Sequence, residues 1–223
     1  MAPPSIFTRA ALLGAALAVS ACQPVATVSD DDAGSAPQDA FFAALASHCG
    51  NAYAGELTSS DAVDADFAGA DMVMHVAECS DETIKVPFHV RTGEQWDRSR
   101  TWVITRTGDG LRLKHDHRHE DGESDAVTMY GGDTAEAGTA RVQHFPVDPF
   151  SIDLFEREGL SASVTNVWSL EIDPAGAPDA RFAYQLQRTE EGGAPEDRLF
   201  RVEFDLTRPV EAPPPAWGHA PAG

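Results

Sequence analysis

Polar and apolar residues alternate along most of this chain. In Phe200–Leu206, Phe200, Val202, Phe204 and Leu206 fall on one face, and Arg201, Glu203 and Asp205 on the other. Successive side chains of a strand point to opposite faces, so the pattern describes a strand with one buried and one wet side. The same period groups Ile84, Val86 and Phe88, then Val164, Asn166, Trp168, Leu170 and Ile172, then Phe182, Tyr184 and Leu186. Strands are predicted at roughly 51–59, 71–79, 82–91, 99–107, 110–120, 124–131, 137–145, 161–172, 180–189 and 197–207. Two segments change period. Asp39–Ser47 puts Phe41, Phe42 and Leu45 on one helical face, and Pro149–Glu158 does so with Ile152 and Phe155. About ten antiparallel strands with one or two short helices make an all-β domain, a closed barrel or a sandwich.

The N-terminus reads differently. One positive charge, Arg9, precedes the apolar run Ala11–Val19, which is too short to span a bilayer. The run ends in Val19-Ser20-Ala21-Cys22, which resembles the lipobox of bacterial lipoproteins. The resemblance implies a signal peptide over residues 1–21 and lipidation of Cys22, which would hold the protein to a membrane. The other reading is an ordinary secretory signal, with Cys22 a free thiol. Gln23 follows where inner-membrane retention typically uses Asp, so the resemblance favours an outer-membrane lipoprotein facing the periplasm or the cell surface. Cys49 and Cys79 then form an even pair in an exported protein, and a disulfide is the expected state. Closing a loop of about 30 residues contributes roughly 3 kcal/mol in the chain-entropy model. A pair of metal-binding thiolates is the alternative.

Residues 22–38, with Asp30-Asp31-Asp32, read as a flexible acidic tether. Residues 39–208 read as a single barrel domain, and residues 209–223 as a disordered, proline-rich tail. The 223 residues hold 36 acidic against 16 basic side chains, a formal net charge of -20. Such a field repels nucleic acid, so none is expected as a partner. No Gly-x-Ser-x-Gly, His-Glu-x-x-His or Gly-x-Gly-x-x-Gly motif is present. No catalytic residue and no cofactor is therefore assigned, and an enzymatic role is left open but not favoured.

The chemistry concentrates in Leu113–Gly122, LKHDHRHEDG. A turn at Gly108-Asp109 pairs Trp102 with His115, Ile104 with Leu113 and Arg106 with Leu111, and carries His117 toward Arg100 and His119 toward Arg98. A loop shifted to Asp109-Gly110, with a bulge, is the alternative. Alternation turns Leu111, Leu113, His115, His117 and His119 inward, and Arg112, Lys114, Asp116, Arg118 and Glu120 into water. A second turn at Asp121-Gly122 pairs His115 with Thr128 and Leu113 with Tyr130, while a longer loop reverses that strand. The expected interior patch comprises Arg106, His115, Thr128 and Tyr130 beside Trp102. His117 joins them, and Asn166, Trp168 and Tyr184 face inward from their own strands.

Two histidines at i and i+2 on a strand lie about 6.5–7 Å apart, within chelating reach of one metal ion. His115 and His119 are about 13 Å apart, so one ion does not take all three. A third ligand would come from elsewhere, His75 or His89 being the candidates; His89 lies opposite Ile84, Val86 and Phe88 and is expected to point outward. In outline, a short helix followed by an antiparallel meander resembles the lipocalin and fatty-acid-binding-protein superfamily. That resemblance implies an 8–10-stranded lipocalin-like barrel, although the first strand has Gly50-Asn51-Ala52-Tyr53 in place of Gly-x-Trp. Asp97–Trp102, Lys114–Gly122 and Tyr130-Gly131-Gly132 resemble an uncharacterised family of proteobacterial exported proteins. Three functions remain: a membrane-anchored barrel holding a small amphipathic or anionic ligand, a metal-dependent enzyme or metal-binding protein built on His115 and His117, and a structural or assembly protein of the cell envelope.

Overall fold

Nearly every strand pairs with the next one along the chain, and the last returns to the first. The computed structural model describes Met1 and residues 36–219, so the signal segment, Cys22 and most of the expected tether lie outside the described residues. The strands are β1 (Ala52–Leu57), β2 (Met72–His75), β3 (Glu78–Cys79), β4 (Thr83–Thr92), β5 (Gln95–Thr107), β6 (Gly110–His117), β7 (Tyr130–Asp133), β8 (Val142–Pro146), β9 (Val167–Ile172), β10 (Arg181–Arg188) and β11 (Arg198–Val210). The helices are α1 (Pro37–Ala46) and α2 (Pro149–Arg157). Ten strands follow one another in the order β7-β6-β5-β4-β2-β1-β11-β10-β9-β8, all antiparallel, with β3 appended to β4. The molecule is an all-β up-and-down barrel. The inward rows read from the sequence form its core: Ile84, Val86, Phe88, Trp168, Leu170, Phe182, Val202 and Phe204 are all buried.

The barrel closes through two glycines. Gly132 bridges to Val147 across the seam between β7 and β8, and Asp148 donates its main-chain N–H to the Gly131 carbonyl at 3.0 Å. A Cβ on Gly131 would sit 1.9 Å from the Leu113 carbonyl oxygen, and one on Gly132 would sit 1.8 Å from that of Pro146. No side chain fits at either place, so glycine is what permits the backbones to meet. The start of α2 fastens the seam. Asp148 caps the helix by accepting the Ser151 N–H at 2.9 Å, and Ser151 Oγ accepts the Gly131 N–H at 2.7 Å. Lys114 of β6 pairs with Asp148, both side chains mostly buried, and its ammonium lies over the Phe150 ring at 4.9 Å.

At one end α1 lies against the barrel, with Phe41, Phe42 and Leu45 buried. The Cys49–Cys79 disulfide is formed and ties the chain after α1 to β3. At the opposite end the connection between β1 and β2 folds back toward β11. Asp61 and Asp64, from that connection, both pair with Arg198.

Several sequence expectations shift. The strand expected at 124–131 shrinks to Tyr130–Asp133, because the turn after His119 is longer than two residues and Met129 takes a left-handed backbone with φ of 58°. His115 therefore pairs with Tyr130, not Thr128. The register moves by two residues, an even number, so Tyr130 still faces inward. Thr128 leaves the interior, and its hydroxyl accepts the His117 main-chain N–H at 2.8 Å. Residues 209–219 are ordered along the barrel rather than forming a free tail. β11 runs to Val210, Arg98 donates to the Pro215 carbonyl at 2.6 Å, and Trp217 donates its main-chain N–H to the Arg98 carbonyl at 3.1 Å. This segment also changes the outer row of β6. Asp116, expected in water, is only 6% exposed and bonds His219 at 3.1 Å and Arg118 at 3.0 Å.

Adding one methyl group at the seam separates closure from the rest of the fold. Gly132→Ala is expected to lower stability by roughly 2–4 kcal/mol in urea denaturation. Gly108→Ala, where a Cβ meets nothing within 4 Å, is expected to change it by less than about 0.5 kcal/mol.

Candidate functional site

The β5–β6 hairpin has the register that its Gly108-Asp109 turn requires: Trp102 pairs with His115, Ile104 with Leu113, Arg106 with Leu111, and Arg100 with His117. Alternation then sends Trp102, Arg100, His115 and His117 to the inner side. These four line a cavity of about 190 Å³ at the barrel end away from α1. Tyr130 and Tyr184 complete its floor. Phe88, Leu186 and Phe200 add wall from β4, β10 and β11, and the β1–β2 connection supplies Asp64 and Phe67. Arg198 stands beside Asp64 at the start of β11.

The floor is an interlocked set of rings. Trp102 stacks on Phe88 at 4.9 Å and on Tyr184 at 4.6 Å between centroids, and Tyr130 stacks on His115 at 4.5 Å. Such offset contacts add stability beyond the area they bury. His115 is held at both nitrogens. Nδ1 lies 3.1 Å from the Tyr130 carbonyl, which can only accept, so Nδ1 carries the proton. Nε2 is thereby an acceptor, and the Tyr184 hydroxyl donates to it at 2.8 Å. His117 Nε2 meets the Tyr130 hydroxyl at 3.2 Å.

Burial sets the protonation states. It pushes His115 down to about 3, helped by the neighbouring His117. It pushes His117 down to about 4, helped by the Arg100 cation. Burial also raises Tyr130 to about 12 and Tyr184 well above its usual value. At neutral pH both histidines are uncharged and both tyrosines keep their protons. The lasting charges on the lining are Arg100, Arg198 and Asp64. Arg198 is engaged by Asp61 at 2.8 Å, by Asp64 at 2.5 Å and by the Leu199 carbonyl at 2.9 Å. Arg100 uses one nitrogen on Asp97 at 2.5 Å and lies over the Phe67 ring at 5.8 Å.

Of the eight residues expected at a ligand site, Trp102, His115, His117, Tyr130 and Tyr184 line this cavity. Arg106 does not. It is four residues beyond Trp102 along β5, about 13 Å toward the other end, where it pairs with Asp39 and covers Phe42 at 4.2 Å. Trp168 lies beneath the floor, 5.2 Å from the His115 ring, fully buried. Asn166 is buried in the chain leading into β9, where its carbonyl accepts the Val147 N–H at 2.9 Å. His119 points away, with a side chain 59% exposed. His75 and His89 sit on the outer side of the barrel: His75 lines a small cleft under Pro213 and Pro215, and His89 is buried although it faces outward. Both nitrogens of His115 are already bonded, and among the described residues no group of three His, Cys, Asp or Glu side chains gathers around one point. Asp64 and Phe67 lay beyond sequence reasoning, because a connection without period gives no face, whereas Arg198 continues the inward row of Phe200 and Val202 and was legible by the same alternation. The acids Asp61 and Asp64 flanking exposed Val63 were the available signal.

The histidines make stability fall as the solution becomes acidic. Each is neutral in the fold down to about 3 or 4, whereas the unfolded chain takes up its proton near 6.5. The unfolded state therefore binds more protons below 6.5, and the neutral-form stability, complete above 6.5, is lost as pH falls. Each contributes a slope of up to about 1.4 kcal/mol per pH unit. Urea denaturation between pH 6 and 4.5 is expected to show this loss, and His117→Gln to reduce its slope by up to about that amount. Equal slopes in the two proteins would show that His117 is charged in the fold.

The chain matches no protein-family model, no curated protein and no solved structure.

Proposed function

We propose that this protein is an exported, lipid-anchored barrel that binds a small amphipathic or anionic molecule in the cavity above His115 and His117. The observation that carries this reading is an aromatic-walled cavity at a barrel mouth with a cation on its rim. Its volume, about 190 Å³, lies below the ~300–1,000 Å³ of pockets for drug-sized ligands. A cavity of about 150 Å³ takes a benzene ring, so the ligand is of that order. Its apolar part meets Phe88, Trp102 and Phe200. Its polar end meets Arg100, which has N–H groups beyond the one given to Asp97. The floor repels neither part, because its histidines are neutral and both nitrogens of His115 are bonded within the protein. The lipobox Val19–Cys22 supports anchoring. The Cys49–Cys79 disulfide fits an oxidising compartment.

Trp102 lies in the cavity wall and reports on binding. Titration with single-ring or short-chain amphipaths such as benzoate and hexanoate is expected to change tryptophan fluorescence with dissociation constants below about 1 mM. Leu186→Phe, which fills the cavity from its rim, is expected to weaken binding at least tenfold while the melting temperature stays within a few degrees. Absence of any such ligand across a broad panel would remove this reading. Anchoring is tested separately. Cells fed an alkyne fatty acid are expected to label the protein and recover it with the outer membrane, and Cys22→Ser is expected to abolish the label. Labelling that survives Cys22→Ser would refute lipidation at that residue.

A further inference from the structure

The cavity holds two open hydrogen-bond donors side by side. Arg100 and His117 are cross-strand partners on the inner side of β5 and β6, and both line the cavity. Arg100 gives Nη1 to Asp97 at 2.5 Å, while its Nε and Nη2 have no partner among the described residues and are not sealed off. His117 Nε2 meets the Tyr130 hydroxyl at 3.2 Å, and that hydroxyl has no other acceptor among the described residues. A buried phenol needs an acceptor for its proton, so Tyr130 donates to Nε2 and the ring proton of the neutral His117 sits on Nδ1. Nδ1 has no partner among the described residues and is likewise open. The strong acceptors of the lining are spent. His115 Nε2 takes the Tyr184 hydroxyl, Asp64 Oδ1 takes Arg198, and Asp64 Oδ2 is closed off even from water.

We infer that the ligand's polar end is an oxygen that carries no proton, that of a carbonyl or a carboxylate group, and that it bridges an Arg100 N–H and the His117 Nδ1–H. This rests on the proposed ligand-binding role of the cavity and names the polar group it takes. A carbonyl oxygen has two lone pairs and a carboxylate has two oxygens, so either meets two adjacent donors at once. Such an oxygen takes over the hydrogen bonds that water otherwise makes to both donors. A hydrocarbon of the same shape displaces that water and leaves both donors unpaired. An ammonium group brings only donors, for which the lining keeps no strong acceptor, and Arg100 and Arg198 repel it. The two carbonyl forms differ in charge, and Asp97, Asp61 and Asp64 sit on the two arginines at the mouth. His117 is in this reading a specificity-determining residue, and Tyr130 fixes which of its nitrogens carries the proton.

Cyclohexanone and methylenecyclohexane have the same shape and differ in C=O against C=CH₂, so their affinity ratio reads the acceptor directly. The purified protein is expected to bind the ketone at least tenfold more tightly by isothermal titration calorimetry. His117→Phe keeps a ring and removes the Nδ1–H, and is expected to cut that ratio at least threefold. His117→Asn, whose amide NH₂ can stand where the Nδ1–H stood, is expected to keep the ratio within about twofold. A ratio below about threefold in the unaltered protein would overturn the inference and leave the cavity as a ligand site. A ratio that His117→Phe leaves unchanged would overturn it too, because the oxygen then goes elsewhere. Cyclohexanecarboxylate separates the two forms: tighter binding than the ketone assigns a carboxylate, and weaker binding a neutral carbonyl, with the acids at the mouth outweighing its arginines. Failure of these probes, and of benzoate and hexanoate, to bind at all would remove the ligand-binding reading itself. The ketone-to-alkene ratio of the unaltered protein needs no variant, so the claim can fail even if His117→Phe does not fold.

Discussion

The close backbone approach at Gly131 and Gly132 is the constraint on which the rest of the molecule depends. Nine pairings around the sheet are ordinary antiparallel ladders, and the tenth junction, between β7 and β8, is one bridge plus the cap of α2. A barrel without that junction has two open edges, each with unpaired N–H and C=O groups. Closure also fixes chemistry. The residue before the glycines is Tyr130, and its position over the His115 ring and its carbonyl on His115 Nδ1 follow from where β7 meets β6. The seam and the cavity floor are therefore one structure, joined through Tyr130.

Charge is distributed to match. The chain is strongly acidic, yet the residues at the cavity mouth include Arg100, held by Asp97 of its own strand, and Arg198, held by Asp61 and Asp64 of the β1–β2 connection. Arginine cannot shed its proton, so these charges persist at any working pH. The histidines below them respond in the other way: burial and the nearby Arg100 keep them neutral. A polar floor in an apolar barrel is tolerated because its members satisfy one another. Buried polar atoms without a partner occur both at the mouth, on Asp64, and beneath the floor, on the Trp168 indole nitrogen.

The outer surface shows a second use of covering segments. Residues 211–219 lie along β4–β6 and hide Asp116, although the alternation of β6 assigns that side chain to water. His89 is likewise on the outward row of β4 and yet 1% exposed. In both cases the side chain faces away from the barrel interior, as its strand position demands, and Asp116 is covered there by the segment that carries His219.

The sequence by itself determined the class of fold, the inward row of almost every strand, the β5–β6 register and the disulfide. Each follows from a local rule: a period of two, a short Gly-Asp turn, the pair of cysteines Cys49 and Cys79. It also placed Trp102, His115, His117, Tyr130 and Tyr184 on inner faces, which five of the eight expected site residues needed in order to meet. Only the tertiary structure decided which level of the barrel each residue occupies. Alternation gives a face but no height along the axis, so Arg106 was grouped with Trp102 although α1 takes it at the far end. Asn166 and Trp168 were likewise assigned to a cavity that closes above them. Asp64 and Phe67 came to the cavity through a connection with no period to read, and ion pairs from Arg198 to Asp61 and Asp64, more than a hundred positions away in the chain, hold that connection there.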